Sequence, residues 1–172
     1  MKRWLGPLAT ASIAGVAAHL ALLHLAPAYI MDLAMFQLAK RNIALHDFTA
    51  PQRITPQAQV VVRSSPDLFY SLCRYDLSDP DRALAVVMGE WSGYQSLSFF
   101  DAETNNFATY RASGGSFGTV LVPPNQTEDP GSIRSPTTRG VILIRRLAPT
   151  QESFDAASEA ASSDMCRLLN PV

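Results

Sequence analysis

The chain opens with a long apolar run that contains no charged side chain. This run extends from Trp4 to Met31 and is bracketed by Arg3 and Asp32. About twenty consecutive apolar residues are enough for a helix to cross the hydrocarbon core of a bilayer. We therefore predict a transmembrane helix over residues 4–31, with the lipid bilayer as its partner.

Pro27 lies near the end of this run and is predicted to kink or end the helix, because proline lacks a backbone N–H. A second helical pattern over residues 28–44 predicts a juxtamembrane helix, so that residues 1–46 form the anchor region. Residues 47–58 hold two prolines and are predicted to be a linker. The rest of the chain is then a domain attached to a membrane anchor.

Beyond the linker the hydrophobic pattern changes, and residues 59–172 are predicted to form one β-rich domain. Side chains alternate from Leu68 to Leu77 in the manner of a strand with one buried face. Residues 83–88 are all apolar and predict a strand buried on both faces. A long polar loop with four prolines is predicted over residues 123–139. The remaining strands are predicted at residues 60–62, 93–100, 107–111, 117–122 and 140–147.

The end of the chain has a helical period. Gln151 to Leu169 is predicted to be a closing helix, with Thr150 as its N-cap. Its apolar positions recur every three or four residues and form one stripe along the helix. The stripe consists of Phe154, Ala157, Ala161, Met165 and Leu168.

The spacing of these elements predicts the fold class. Short strands joined by Gly, Pro, Asn and Asp turns are typical of an antiparallel sandwich or barrel. The 172-residue chain is long enough for one such domain beyond the anchor. We therefore predict a mainly β protein, an antiparallel sandwich or barrel-like domain with an N-terminal transmembrane helix and a C-terminal helix.

The charges of the chain narrow the classes of partner. It has 14 basic and 15 acidic residues and no basic stripe, which argues against nucleic-acid binding. Lys2 and Arg3 precede the apolar run and favour a cytoplasmic N-terminus, with the domain across the membrane. A signal peptide cleaved after Ala26-Pro27-Ala28 is the alternative, although the length of the uncharged run favours an uncleaved anchor.

Candidate catalytic groups are sparse in the predicted β domain. The one histidine outside the apolar run is His46, so a serine or cysteine nucleophile has little choice of base. Asp101 and Glu103 resemble the carboxylate pair of a glycosidase, but they lie in a turn where such side chains cap backbone donors. A metal site would need either clustered His and Cys residues or an acidic loop with defined spacing. The sequence has neither pattern. We predict no catalytic residue, metal ligand or cofactor.

Two adjacent arginines suggest a binding site and an internal ion pair. Arg145 and Arg146 lie in an apolar strand, where successive side chains point to opposite faces, so one of them points inward. An inward arginine needs a carboxylate or several carbonyl groups, and Asp67 or Asp76 is the predicted partner. Pairing within the fold is favoured over ligand binding for this arginine. If the domain has a polar pocket, its predicted residues are Asp67, Tyr70, Tyr94 and Arg145.

The chain has two cysteines, Cys73 on a predicted strand and Cys166 on the predicted terminal helix. Outside the cytoplasm thiols tend to oxidise, which favours a disulfide between them. A buried Cys73 would serve equally well as a small apolar side chain, so the free thiols stay as the alternative.

Several short stretches, taken in order, resemble a known family. The stretches are Ser65-Pro66-Asp67-Leu68-Phe69-Tyr70-Ser71, Tyr75-Asp76-Leu77-Ser78, Gly93-Tyr94-Gln95-Ser96-Leu97, Phe100-Asp101-Ala102, Thr104-Asn105-Asn106-Phe107, Gly118 to Pro123, Ile133-Arg134-Ser135-Pro136-Thr137 and Gly140 to Arg146. Across residues 59–147 they resemble domain-of-unknown-function family 1254. Arg111 to Gly114 departs from the family, which usually has a Thr-Gly pair there.

The resemblance implies a β-rich, mostly bacterial protein of no established activity. Longer members of the family carry a second domain, family 1214, near the point where this sequence stops. We therefore expect a single-pass protein of the bacterial inner membrane, with its N-terminus in the cytoplasm and its domain in the periplasm. The expected role is a non-enzymatic binding or assembly module. An envelope enzyme, or half of one completed by an anchored family 1214 protein, is the alternative.

Overall fold

The computed structural model describes residues 2–53 and 64–169 of the chain. The predicted strand over residues 60–62 lies outside this part. The helices and strands are, in order, α1 (Leu5–Lys40), β1 (Leu68–Asp76), β2 (Leu84–Met88), β3 (Tyr94–Asp101), β4 (Asn106–Ser113), β5 (Phe117–Val122), β6 (Ser132–Arg134), β7 (Arg139–Leu147), α2 (Gln151–Ala160) and β8 (Met165–Leu168).

The strands of the described residues form two four-stranded sheets. Sheet A has the order β1-β7-β3-β4 and is antiparallel throughout. Sheet B has the order β6-β5-β2-β8 and is antiparallel except for the parallel pair of β5 and β6. The predicted fold class is confirmed, because a mainly β domain lies between a long apolar N-terminal helix and a short C-terminal helix.

The core lies between the two sheets and is built by alternating side chains. In β1 every second residue is buried, as predicted, and Cys73 and Tyr75 belong to the core. In β2, however, Ala85 and Val87 are only half-buried, so the prediction of a strand buried on both faces was wrong. The reason is that sheet B covers the core with one face only, and its small outward side chains need no cover.

Pro27 was predicted to kink or end the first helix, and it does not end it, because α1 continues through Pro27 to Lys40. A proline inside a helix removes one backbone hydrogen bond, and the turns on both sides of Pro27 stay helical. Met31 is 7% exposed, and Asp32 forms an ion pair of 3.6 Å with Arg139 at the start of β7. The second half of the helix is therefore docked on the domain.

The segment after α1 follows the edge of sheet A. Ile43 is buried, and its carbonyl oxygen accepts a hydrogen bond of 2.8 Å from Arg74 Nε. Thr49 and Leu72 exchange two backbone hydrogen bonds of 2.8 and 2.9 Å. The outer edge of β1 is therefore covered by the chain itself.

Helix α2 begins as predicted and ends sooner. The side chain of Thr150 accepts a hydrogen bond of 3.1 Å from the Ser153 backbone N–H, which caps the helix. The helix ends at Ala160 and not at Leu169, a 3₁₀ turn comes next, and the chain enters β8. The apolar spacing of residues 165–168 is compatible with either structure, and pairing with β2 selects the strand.

The prediction that these apolar residues form one stripe along a single helix was therefore wrong. Phe154, Ala157 and Ala161 pack against a small cluster that includes Phe69 and Trp91. The remaining stripe residues, Met165 and Leu168, lie in β8 as part of sheet B.

Arg146 has the largest of the fully buried side chains, and its partner is Asp164. Their closest approach, Nη2 to Oδ1, is 2.5 Å, and both side chains are 0% exposed. Oδ2 of Asp164 also accepts from Ser71 Oγ at 3.0 Å, and Oδ1 accepts from the Gly89 backbone N–H at 2.9 Å. A buried carboxylate with this many donors is well compensated for the loss of water.

The structure corrects the predicted partner of this arginine. Asp67 is exposed at the start of β1. Asp76 lies opposite Arg139 at the far end of β1, whereas Arg146 lies opposite Phe69. The sequence prediction missed Asp164 because it placed that residue in a helix.

A disulfide joins Cys73 of β1 to Cys166 of β8 and so connects the two sheets through the core. Both cysteines are almost completely buried. The two residues are 93 positions apart, and a cross-link over such a loop stabilises by about 4–5 kcal/mol in the chain-entropy model. The end of the chain is thus held both covalently and by an ion pair.

Replacing both cysteines, Cys73→Ala with Cys166→Ala, should lower the free energy of unfolding by about 2–5 kcal/mol, because the unfolded chain is no longer cross-linked. Denaturant unfolding of the full chain in detergent measures this change. A reductant should weaken the wild type and leave the double variant unaffected. Two thiols open to alkylation in denatured, unreduced wild type would show that the bridge is not formed.

Asp164→Ala should lower the free energy of unfolding by about 3–5 kcal/mol, because Arg146 would stay buried without a counter-charge. The matched control is Asp67→Ala, an exposed carboxylate whose loss should change stability by about 0.5 kcal/mol or less. Thermal melts of both variants beside wild type provide the comparison. Equal midpoints for the two variants would contradict the structural role of the buried pair.

Candidate functional site on the outer face of sheet A

The face of sheet A that points away from sheet B carries two of the predicted binding residues side by side. Tyr70 of β1 lies opposite Arg145 of β7, and Arg145 lies opposite Ser96 of β3. Ser96 in turn lies opposite Arg111 of β4. Residues in register on neighbouring strands share one face of a sheet. We call these four residues, Tyr70, Arg145, Ser96 and Arg111, the arginine row.

The other two predicted residues have different positions. Tyr94 lies two residues before Ser96, so it is on the same face in the neighbouring row, and it is 41% exposed. Asp67 lies before β1, is exposed, and contributes its backbone oxygen to a hydrogen bond of 2.8 Å from the Ala148 N–H. The structure thus brings Tyr70, Tyr94 and Arg145 to one surface and leaves Asp67 outside it.

Arg111 was missed as a site residue. In the sequence it appears only as a departure from the family pattern at the end of a short strand. Its place beside Arg145 depends on the pairing of β3 with β4 and of β3 with β7. An alternating pattern indicates which residues of one strand share a face, but not which residues of other strands lie beside them.

The arginine row has no internal counter-charge. Arg145 is half-buried, and its Nη2 donates a hydrogen bond of 2.9 Å to the neutral Ser98 Oγ. Its buried Nε has no hydrogen-bond partner. The ion pairs within residues 2–53 and 64–169 are Arg139 with Asp32 and Arg146 with Asp164, so neither row arginine is paired with a carboxylate.

Helix α1 packs on the same side of the sheet, near the other end of β7. Its Asp32 contacts Arg139, which alternation places on the same face as Arg145. The two arginines are six residues apart along β7, or about 20 Å in an extended strand. The row therefore lies at the other end of β7 from the docked helix and is not covered by the contact at Arg139.

The side chains considered for catalysis have structural contacts. Asp101 Oδ1 accepts hydrogen bonds of 2.8 Å from the backbone N–H groups of Glu103 and Asn105, as expected of a turn cap. Cys73 is in the disulfide. Burial lowers the pKa of His46, which lies against the backbone of Asp76.

A second polar group lies at the Asp101 end of the core. Burial raises the pKa of Tyr75 to about 12, and its hydroxyl contacts Ser135 Oγ at 2.9 Å. Tyr75 thus stays protonated in this contact at neutral pH. Within the described ranges, no three His, Cys, Asp or Glu side chains are grouped as potential ligands of a metal ion.

Comparison with solved structures extends the description of the fold. The VPA0106 protein from Vibrio parahaemolyticus is similar with a TM-score of 0.59 and 16% identity, over 85% of this chain and 40% of that chain. An uncharacterised protein from Burkholderia cenocepacia is similar with a TM-score of 0.50 and 11% identity, over 76% of this chain and 36% of that chain. At such identities the likeness concerns the fold alone, and this chain spans less than half the length of either structure.

Curated proteins and family models were compared with the chain to find the family to which it belongs. No curated protein matches the chain. A family model described as "Protein of unknown function (DUF1254)" matches residues 46–166, which is more than half of the chain. This confirms the resemblance seen over residues 59–147. The chain therefore belongs to the DUF1254 family of proteins of unknown function.

Proposed function

We propose that this chain is a membrane-anchored, non-enzymatic binding or assembly module of the bacterial envelope. The observation that carries the proposal is the surface of α1. Residues 3–25 are all exposed, and the apolar part of the helix is not buried by the domain. Such a surface is unfavourable in water and matches the interior of a bilayer.

An uncleaved anchor fits the helix better than a removed signal peptide. The helix has 36 residues and is about 54 Å long, which exceeds the roughly 30 Å of the hydrocarbon core. Its first part is long enough to span the membrane while its last part packs on the domain through Met31. The segment Ala26-Pro27-Ala28 lies inside the continuous helix and is half-buried.

Two features support a periplasmic domain with the N-terminus in the cytoplasm. Lys2 and Arg3 are at the N-terminal end of the span, and basic residues favour the cytoplasmic side. The buried bridge between Cys73 and Cys166 suits an oxidising compartment. Because α1 is docked on sheet A, the β domain would lie directly at the membrane surface.

A binding role is supported by the contrast between the polar side chains that have structural partners and the arginine row. Asp101, Asp164 and Cys73 have structural contacts, whereas the arginine row has no counter-charge among the residues that the structure describes. The alternative is an envelope enzyme, or half of one, completed by an anchored family 1214 protein. This chain spans 40% and 36% of the two similar solved structures, which are longer.

Reporter fusions after Val172 test the topology. Alkaline phosphatase at this position should be active and β-galactosidase inactive, because a domain outside the cytoplasm supports only the first enzyme. A fusion that lacks residues 1–31 is the control and should reverse both results. The mass of the membrane-bound chain without a reporter should stay at 18.7 kDa if the anchor is retained.

The reverse pattern for the full chain, with active β-galactosidase, would overturn the proposed orientation. A mature protein that begins at Tyr29 and is found in the soluble periplasmic fraction would overturn the anchor alone.

A further inference from the structure

We propose that the arginine row is a binding site for a phosphate group, with Arg145 and Arg111 as its two cationic ligands. The inference rests on the binding role proposed above and names the chemistry of the ligand. A phosphate reaches this surface either as the headgroup of a membrane lipid or as part of a soluble compound.

The geometry of the row suits an anion held between two side chains. Arg145 and Arg111 lie on either side of Ser96, two strand spacings or about 10 Å apart at their backbones. Arg145 reaches along β3 to Ser98, two residues beyond Ser96 on the same face, where its Nη2 donates to Ser98 Oγ at 2.9 Å. Arg111 is exposed on the neighbouring edge strand β4, and an arginine side chain is long enough to turn towards the same point. Their planar guanidinium groups offer paired N–H donors, an arrangement that fits phosphate oxygens bidentately.

The electrostatics of the row favour a negatively charged ligand. Arg145 is half-buried and charged, with a neutral hydroxyl as its hydrogen-bond partner and a buried Nε that has none. Neither Arg145 nor Arg111 has an ion-pair partner within the described ranges. A partly desolvated cation without a counter-charge is unfavourable, and an anion that binds there relieves this cost.

The surroundings of the row favour a lipid headgroup as the source of the phosphate. Tyr94 and Leu147 lie beside the row on the same face and are 41% and 47% exposed. Exposed tyrosine and leucine next to arginine are typical of surfaces that enter the boundary between headgroups and acyl chains. Helix α1 docks on the same face at Arg139, about 20 Å along β7 from the row, so the same face carries both the anchor contact and the row.

Titration calorimetry of the full chain in nonionic detergent micelles tests the site. The probes are inorganic phosphate and dioctanoyl phosphatidylglycerol, with zwitterionic dioctanoyl phosphatidylcholine as the lipid control. Arg111→Gln and Arg145→Gln should each weaken binding by about tenfold or more, since each removes a charged pair of donors. Arg167→Gln, which changes an exposed arginine on β8 of the other sheet, should leave the affinity unchanged.

Melting temperatures and two lysine variants distinguish a loss of binding from a loss of folding. Arg111 is exposed on the edge strand β4, so Arg111→Gln should retain the wild-type melting temperature. Arg145→Lys retains the charge but not the planar fork, and it should also weaken binding. Arg111→Lys should do the same with the fold intact.

The outcomes separate the two sources of phosphate. Binding of phosphatidylglycerol alone, lost in Arg111→Gln, supports the site with a lipid headgroup as its ligand. Binding of inorganic phosphate with the same dependence on Arg111 supports the site with a soluble compound as its ligand. Wild type that binds neither probe overturns the proposal, and so does equal weakening by Arg111→Gln and Arg167→Gln. If the row binds phosphate while the reporters place the domain in the cytoplasm, the proposed function fails and the site stands.

Discussion

The arrangement of the two sheets depends on the buried ion pair between Arg146 and Asp164. A fully buried guanidinium group is tolerated only when a carboxylate or several carbonyl groups contact it. Asp164 provides this contact because the chain leaves its helical path after α2. The same turn directs residues 165–168 against β2, so the position of the last strand depends on an electrostatic requirement in the core.

The disulfide acts on the same segment as the ion pair. Cys166 comes two residues after Asp164 and is joined to Cys73 in the opposite sheet. The disulfide lowers the conformational entropy of the unfolded chain, whereas the ion pair fixes the course of the folded chain before β8. Both effects hold the short strand β8 in place. A strand of four residues has little pairing energy of its own, and these two links explain how it keeps its place in sheet B.

Adjacent arginines of β7 have opposite roles because successive side chains of a strand point to opposite faces. Arg146 is buried in the core against Asp164, while Arg145 faces outward and has no carboxylate partner in the described part of the chain. The helix docks on that outer side, and its exposed apolar surface has the length and composition of a membrane span. The two proposals are thus connected, since the proposed anchor and the arginine row share one face of sheet A.

Elements with a local pattern were predictable from the amino-acid sequence. Three such predictions are confirmed: the first and last residues of β5, the alternating burial of β1 and the N-cap of α2 at Thr150. Each of these features depends on residues that are close in sequence. The family, too, was recognisable from short stretches of sequence. The three residues of β6 lie within the predicted polar loop, since a strand so short is specified by its parallel pairing with β5 and not by its own pattern.

Other features needed the folded chain, because they depend on contacts between residues far apart in sequence. The residues after α2 satisfy a helical and a strand pattern alike, and contacts with Arg146 and β2 choose between them. The candidate site also depends on contacts between residues far apart in sequence. Tyr70 and Arg145 were both visible in the sequence, but Arg111 joins them through the register of neighbouring strands, which no local pattern specifies.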